Sequence, residues 1–508
     1  MLTVILFTTI ISQSFSARIL GIASAPCYSH QVVFQTLWKE LSLRGHQLTV
    51  LTTYPLNDPH LVNLTEIDLH STGEAWKRVN MFDVLTRGMQ YAFNIGWNIS
   101  NQLMHEQLSN AQVQELIKNN NEIFDLLIVE ATFPTMYAFS VRYNCPAIAI
   151  SSLDAPSRNL DIMGNPSHPV LNPYFLLPFS GKLNFWERLV SSAFSIYMRY
   201  FNSYHFFPMQ EEIMKNYFGN DYPSVKDITK NITLLFTNTN PILHEVRPQL
   251  PSIISIGGGI HLKSSEELPK NLATYLDDAQ GGFIYFSLGT SVASNNLPKS
   301  VLNVILETFR ELPYTVVWKY EDKYLPEKSE NVLISKWFPQ QAVLRHPNIK
   351  LFITQGGLQS LEEAIYNHVP IIGVPVMGDQ HQNIKKIVNK GLGLQIDLLS
   401  LEKKAFKNAI LEVISNPKYR QNIQDLAKIA LDQPMTALER AVWWTEYVLR
   451  NNGAKHLRSP AVDLPTYQYV GFAFSTNFSK TSTLQTEEEL STLKVYSKQD
   501  QNITVSVL

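Results

Sequence analysis

Residues 337–380, WFPQQAVLRHPNIKLFITQGGLQSLEEAIYNHVPIIGVPVMGDQ, bring three kinds of chemistry into one short stretch. Trp337 offers a flat aromatic face, and Gln340 adds an amide three residues on. An apolar strand, 351–354, breaks at Gln355-Gly356-Gly357 and runs into a helical pattern ending at Tyr366. Such a junction aims unpaired N–H groups and the positive end of a helix dipole at one spot, which suits a phosphate. A second apolar strand, 371–376, leads to the polar pair Asp379-Gln380. Ring, phosphate cradle and hydroxyl binder in that order predict a site for a nucleotide sugar. An ordinary βαβ unit accounts for the glycines and apolar runs, but not for Trp337 with Gln340 or for Asp379-Gln380.

Upstream, GGFIYFSLGTS (281–291) reads as a buried strand ending in Leu-Gly-Thr. Gly289 permits a tight turn there, and Thr290 sets a hydroxyl beside exposed backbone amides. The triplet Gly257-Gly258-Gly259 does not match GxGxxG, so a dinucleotide fingerprint is not supported. There is no HExxH, no cysteine cluster and no Asp-x-Asp, which argues against a metal site.

The 337–380 stretch resembles the signature of the UDP-glycosyltransferases, which runs from a strand ending in Thr-His/Gln-Gly through Glu and Pro to Asp-Gln. The matching positions are Phe352, Ile353, Thr354, Gln355, Gly356, Gly357, Ser360, Glu363, Pro370, Pro375, Asp379 and Gln380. A match of this length is far more specific than a lone glycine triplet. The resemblance implies an α/β chain of the GT-B class, with two Rossmann-like domains facing each other across a deep cleft.

It also implies roles. Trp337 would stack on uracil, Gln340 would bond the uridine, and Glu363 would accept from ribose hydroxyls. Gln355, Gly356, Gly357, Gln359 and Ser360, with the amides of the following helix, would hold the diphosphate. Gly289 and Thr290 would form a second diphosphate loop, and Asp379 and Gln380 would bond the sugar. Arg247, in Val246-Arg247-Pro248, matches a basic donor contact, although a surface arginine reads the same. Many relatives have His where this chain has Gln355, and Gln carries no positive charge. More of the leaving-group stabilisation then falls on amides.

A base belongs in the other half. His30 follows the first predicted strand at the start of a helix, in RILGIASAPCYSHQ, where open α/β sheets place functional groups. Position alone favours an idle helix-start histidine; the resemblance makes His30 the base. Glu130 ends FDLLIVE, where the family often has an Asp that partners this histidine.

The rest of the chain must position these groups. Its 508 residues suit two domains, and 42 Lys+Arg against 44 Asp+Glu leave no basic footprint for nucleic acid. Strands are expected at 18–24, 47–52, 124–130, 146–150, 282–288 and 315–319, with helices at 31–44, 135–143 and 297–311. That alternation is the grammar of parallel sheets. Residues 1–17 read as a secretory signal peptide, 18–243 as an acceptor domain and 244–455 as a UDP-sugar domain, with the crossing at 240–267.

A helix over 435–450 is expected to pack Trp443, Trp444 and Tyr447 as it returns to the first domain. The resemblance ends near Tyr469. Residues 456–508 form a polar tail whose apolar run, 469–474, is far shorter than the roughly 20 residues that span a membrane. Sequons at Asn63, Asn98, Asn231, Asn477 and Asn502 agree with passage through the endoplasmic reticulum, as a lumenal or secreted protein. Cys27 and Cys145 are expected to be buried free thiols. The aromatic run 171–207 reads as core, as the wall of an acceptor pocket or as a peripheral membrane patch. Self-association is left open.

The resulting expectation is an inverting, metal-independent transfer of a hexose from a UDP-sugar to a hydroxyl of a small lipophilic acceptor. No cofactor is expected. The rival expectation is a catalytically weak UDP-sugar-binding relative.

Overall fold

The computed structural model describes residues 16–263 and 266–464. The expected leader up to residue 15, the polar tail from 465 and its apolar run, and the sequons at Asn477 and Asn502 lie outside the described residues. Ala17, assigned to the leader, is buried, and its carbonyl accepts from the Gln47 N–H at 2.9 Å. Ser16 also donates to the Gly45 carbonyl at 2.9 Å, so two residues assigned to the leader are tied to the fold.

Two parallel sheets belong to one compact unit that ends at Val462. The first contains β1 (Arg18–Ala23), β2 (Gln47–Thr52), β3 (Leu64–Asp68), β4 (Leu126–Glu130), β5 (Ala147–Ser151), β6 (Ile232–Thr237) and β7 (Ile253–Ser255), in the order β3-β2-β1-β4-β5-β6-β7. The second contains β8 (Phe283–Ser287), β9 (Thr315–Lys319), β10 (Val332–Ser335), β11 (Ile349–Thr354), β12 (Ile371–Gly373) and β13 (Gly393–Gln395), in the order β10-β9-β8-β11-β12-β13. This is the expected pair of Rossmann-like halves, the GT-B architecture.

Continuous apolar runs are what a sheet covered on both faces demands. Along β4, Leu127 and Val129 enter a core with Met104, Phe139 and Met214, while Leu126 and Ile128 point the other way, to Phe34, Leu37 and Trp38. Side chains alternate with period two, so each strand feeds both layers. The second sheet splits likewise, with Ile284 and Phe286 in one core and Phe283 and Tyr285 in the other.

The helix Ala437–Arg450 packs on the first sheet's outer layer, where Trp444 and Tyr447 meet the core as expected but only partly buried. Ala441, Val442 and Val448 make the buried seam, whereas Trp443 is 44% exposed and stacks on Tyr447. Small residues let this helix approach the helix Tyr28–Leu43 closely. Strand β12 stops at Gly373 instead of reaching Val376. Pro375 has no N–H for a ladder, and the Val376 N–H turns to the Gln380 side chain at 2.9 Å. The Gly257-Gly258-Gly259 triplet serves a tight crossing, since a Cβ at Gly257 would lie 2.5 Å from the Thr239 backbone.

Candidate active site

In each sheet the strand order reverses once, and groups beyond the carboxyl ends of the two strands flanking such a point meet in a crevice. In the first sheet the flanking strands are β1 and β4. Glu130 is the last residue of β4 and only 2% exposed. Its Oε2 accepts from the Ala25 N–H at 2.7 Å, and its Oε1 lies 2.9 Å from His30 Nδ1. A carboxylate there takes the Nδ1 proton as a hydrogen bond and leaves the Nε2 lone pair free.

The turn that carries His30 is pinned by a residue the motif reading missed. Gln31 donates to the carbonyls of Ala23 (2.9 Å) and Ala25 (2.7 Å) and accepts from the Thr52 hydroxyl at 2.8 Å. The sequence holds a trace of it, because Gln31 is a polar residue on the helix face shared by Phe34 and Trp38. Cys27, just before this helix, is free, as is Cys145. Burial, then Glu130, pushes the Cys27 thiol up to about 12, and burial with Asp125 does the same for Cys145. Neither is a ready nucleophile.

In the second sheet the flanking strands are β8 and β11. Each ends in a glycine turn. Gly289 adopts φ +74°, and a Cβ there would collide with the Gln355 amide nitrogen. Gly356 adopts φ +91° because Ile384 packs where a side chain would stand. The two loops thus touch, and the helix Leu358–Tyr366 starts beside them with Gly357 as an N-cap that offers no side chain. Its first N–H groups have no side-chain cap, the arrangement an anion fills. Thr290 sits exposed at the same turn, while Gln355 is buried with Oε1 unpartnered.

Trp337 is 52% exposed, with Tyr28 of the first half edge-on at 5.3 Å between ring centroids. Gln340 joins two other expected donor contacts, giving hydrogen bonds to Ser360 Oγ (2.9 Å) and Glu363 Oε2 (2.7 Å). Asp379 accepts from Asn383 at 2.7 Å. Burial raises its carboxyl above the ordinary range, opposed by that bond and then by the charge of His30 across the cleft. Gln380 turns its oxygen to the Val376 and Met377 N–H groups, both at 2.9 Å, so only its NH2 group is open to a sugar.

Two expected contacts are not brought to this cleft floor. Gln359 donates to the Ser152 carbonyl at 2.9 Å and ties the halves together instead of facing a phosphate. Arg247 is locked in a bidentate pair with Asp154, with Nη1 to Oδ2 at 3.0 Å. What sequence reasoning did not delineate is a cavity of about 590 Å³ beside Asp379. Trp76, Phe93 and Trp97 line it from the first half, and Met377 and Gly378 close it from the second.

The aromatic run divides by environment. Tyr174, Phe175, Phe201 and Phe206 wall the cavity, Phe207 packs on the core, and Phe185, Trp186 and Tyr200 are exposed. Among the described residues no helix is long and apolar enough to cross a membrane.

Comparison with known proteins agrees with this geometry. A family profile described as "UDP-glucoronosyl and UDP-glucosyl transferase" matches residues 17–478, past the Tyr469 limit read from the sequence. An ecdysteroid UDP-glucosyltransferase of Spodoptera littoralis nuclear polyhedrosis virus is 34% identical over 93% of this chain and 96% of its own. UDP-glycosyltransferase UGT5 of Dactylopius coccus is 34% identical over 91% of this chain and 89% of its own. The crystal structure of the glycotransferase of kitacinnamycin superimposes with a TM-score of 0.56 at 15% identity, covering 85% of this chain and 99% of that one, a likeness of fold. Two nucleotide-type halves, a signature met throughout and a family match along nearly the whole chain make this protein a member of the UDP-glucoronosyl and UDP-glucosyl transferase family, an enzyme that moves a sugar from a UDP-sugar to an acceptor.

Proposed function

We propose that this enzyme glycosylates a hydroxyl of small lipophilic acceptors in one inverting step without a metal, a conjugation of the detoxification type. The observation that carries this reading is the His30–Glu130 pair set opposite Asp379, beside an apolar cavity. An acceptor lying in that cavity presents its hydroxyl to His30 Nε2. As the acceptor oxygen attacks the anomeric carbon, its proton passes to Nε2. The bond from that carbon to the β-phosphate oxygen breaks on the opposite face, and UDP leaves with the electron pair. Glu130 stabilises the imidazolium, as a buried carboxylate does in a triad. Charge on the departing diphosphate falls to the N–H groups at the start of Leu358–Tyr366 and at the Gly289 turn.

The similar viral protein is named a glucosyltransferase of ecdysteroids, which favours glucose as the hexose and a steroid-sized acceptor here. Incubating the full chain with several UDP-sugars and a panel of phenols and steroids, in EDTA, tests the reading. UDP release matched by conjugate is expected; release only after magnesium is restored would contradict metal independence.

Donor binding gives a separate expectation. Trp337→Ala removes the stacking face and should weaken UDP binding by about 1–3 kcal/mol, the usual worth of a base on an aromatic ring. Calorimetric titration with UDP measures it, and unchanged affinity would take Trp337 out of the uracil site.

We also propose passage through the secretory pathway. Asn98 and Asn231 are exposed and open to glycan addition. Expressed in insect cells, the protein should gain mobility on a gel after glycosidase treatment. No shift at all would contradict lumenal entry.

A further inference from the structure

Arg158 brings a positive charge to the cavity wall with no carboxylate beside it. Its Nη2 donates to the Thr132 carbonyl at 3.0 Å, and its guanidinium lies 4.3 Å from the centre of the Phe206 ring. Its buried Nε has no hydrogen-bond partner. Among the described residues Arg158 forms no ion pair, and burial, the largest influence on it, lowers its pKa against smaller effects of Tyr174 and Tyr137. Arg158 is half-buried, and a guanidinium partly withdrawn from water without a counter-charge is disfavoured, which an aromatic face offsets only in part.

The backbone prepares the same wall. Between the helices Phe185–Phe201 and Phe207–Phe218 the chain makes a π-turn, Asn202–Phe206, a local widening found mostly at functional sites. Both ends of that turn line the cavity, Phe206 beneath Arg158 and Asn202 beside it on the lining. Asn202 is buried, yet its amide makes no side-chain hydrogen bond among the described residues. The cavity therefore carries a cation and an amide, both under-used, within walls of Trp, Phe and Met. None of these groups takes part in the transfer chemistry at His30.

We propose that Arg158, assisted by Asn202, selects acceptors that carry a carboxylate: lipophilic hydroxy acids whose acid group rests on the guanidinium while the hydroxyl faces His30. This rests on the acceptor role of the cavity argued above. An ionised carboxylate supplies the missing counter-charge and accepts hydrogen bonds from the Nη groups of the guanidinium. Arg158 is a specificity residue; it touches the acceptor and not the reacting atoms.

The test uses phenols bearing alkyl chains of increasing length that end in a carboxylate, each paired with its primary amide. Binding to the full chain is read from tryptophan fluorescence, with Trp76 and Trp97 in the wall as reporters and no donor present. At one chain length the acid should bind about ten-fold or more tighter than its amide. Arg158→Gln should abolish that preference while the amide's affinity stays within about three-fold, and Arg158→Lys should keep part of it. If Arg158→Gln does not fold, Arg158→Met, with a stem of similar length, carries the same comparison. Equal binding of acid and amide at every length, or equal loss of both in the variant, overturns the proposal. Turnover is measured in parallel. Failure of every phenol to be glycosylated would count against the proposed reaction, while the fluorescence series would still decide the role of Arg158.

Discussion

Replacing His30 by alanine is expected to lower turnover by about 100-fold or more, the scale of a positioned general base. UDP affinity should be nearly unchanged, because His30 belongs to the first half, in the helix after β1, and the donor contacts belong to the second. The two effects separate cleanly when initial rates and UDP titrations are run on the same preparation. Glu130→Gln should be milder. It keeps a hydrogen-bond acceptor for Nδ1–H but removes the charge that steadies the imidazolium. A folded His30→Ala variant with full turnover would remove His30 from the mechanism.

The second large effect is expected at Asp379. Its carboxylate is held in place by Asn383 and lies within electrostatic reach of His30, which puts it where the sugar must sit between base and diphosphate. Asp379→Ala should lower kcat/KM for the UDP-sugar by about 10- to 150-fold, the equivalent of about 1.5–3 kcal/mol for hydrogen bonds to a charged group. UDP itself should bind as before. Because burial raises this carboxyl, its negative charge is lost at a higher pH than that of an ordinary aspartate. Recognition of the sugar should accordingly weaken as the medium is acidified, and an Asp379→Asn variant should lack that dependence. Equal loss of UDP and UDP-sugar binding in Asp379→Ala would show that the residue supports the nucleotide loop instead.

The sheets were legible because their strands are short apolar runs between glycine and polar turns, as FDLLIVE and GGFIYFSLGTS illustrate. The crevice groups were legible for a related reason. A residue at or just past the carboxyl end of a parallel strand needs only its own strand to be found, as Glu130 and Gly289 are, and His30 is marked by the helix start that follows β1. Contacts made by side chains reaching between distant segments were not. Nothing local marks Gln359 as a tie to Ser152 across the halves, or Arg247, between β6 and β7, as the partner of Asp154, which follows β5 of the same sheet.

The full outline of the cavity escaped because it is tertiary, although the sequence of 171–207 reads as one possible wall of an acceptor pocket. Its wall comes from helices at 74–108, a segment at 174–176, a π-turn at 202–206 and the loop 376–378, which only the tertiary fold assembles. The C-terminal helix shows a subtler limit. Trp444 and Tyr447 do reach the packing face, but the fully buried seam is made by Ala441, Val442 and Val448, and Trp443 is left on the outside.

The most direct measurement of the central claim is the anomeric configuration of the first-formed product. UDP-glucose is an α-glycoside. With His30 Nε2 taking the acceptor proton and UDP departing from the opposite face, a single displacement must give the β-glycoside. Proton NMR of the conjugate, taken early in the reaction with UDP-glucose and a simple phenol, reads the coupling at the anomeric proton. A β-linked product is the expected result, and an α-linked product would contradict the one-step transfer assigned to His30 and Glu130.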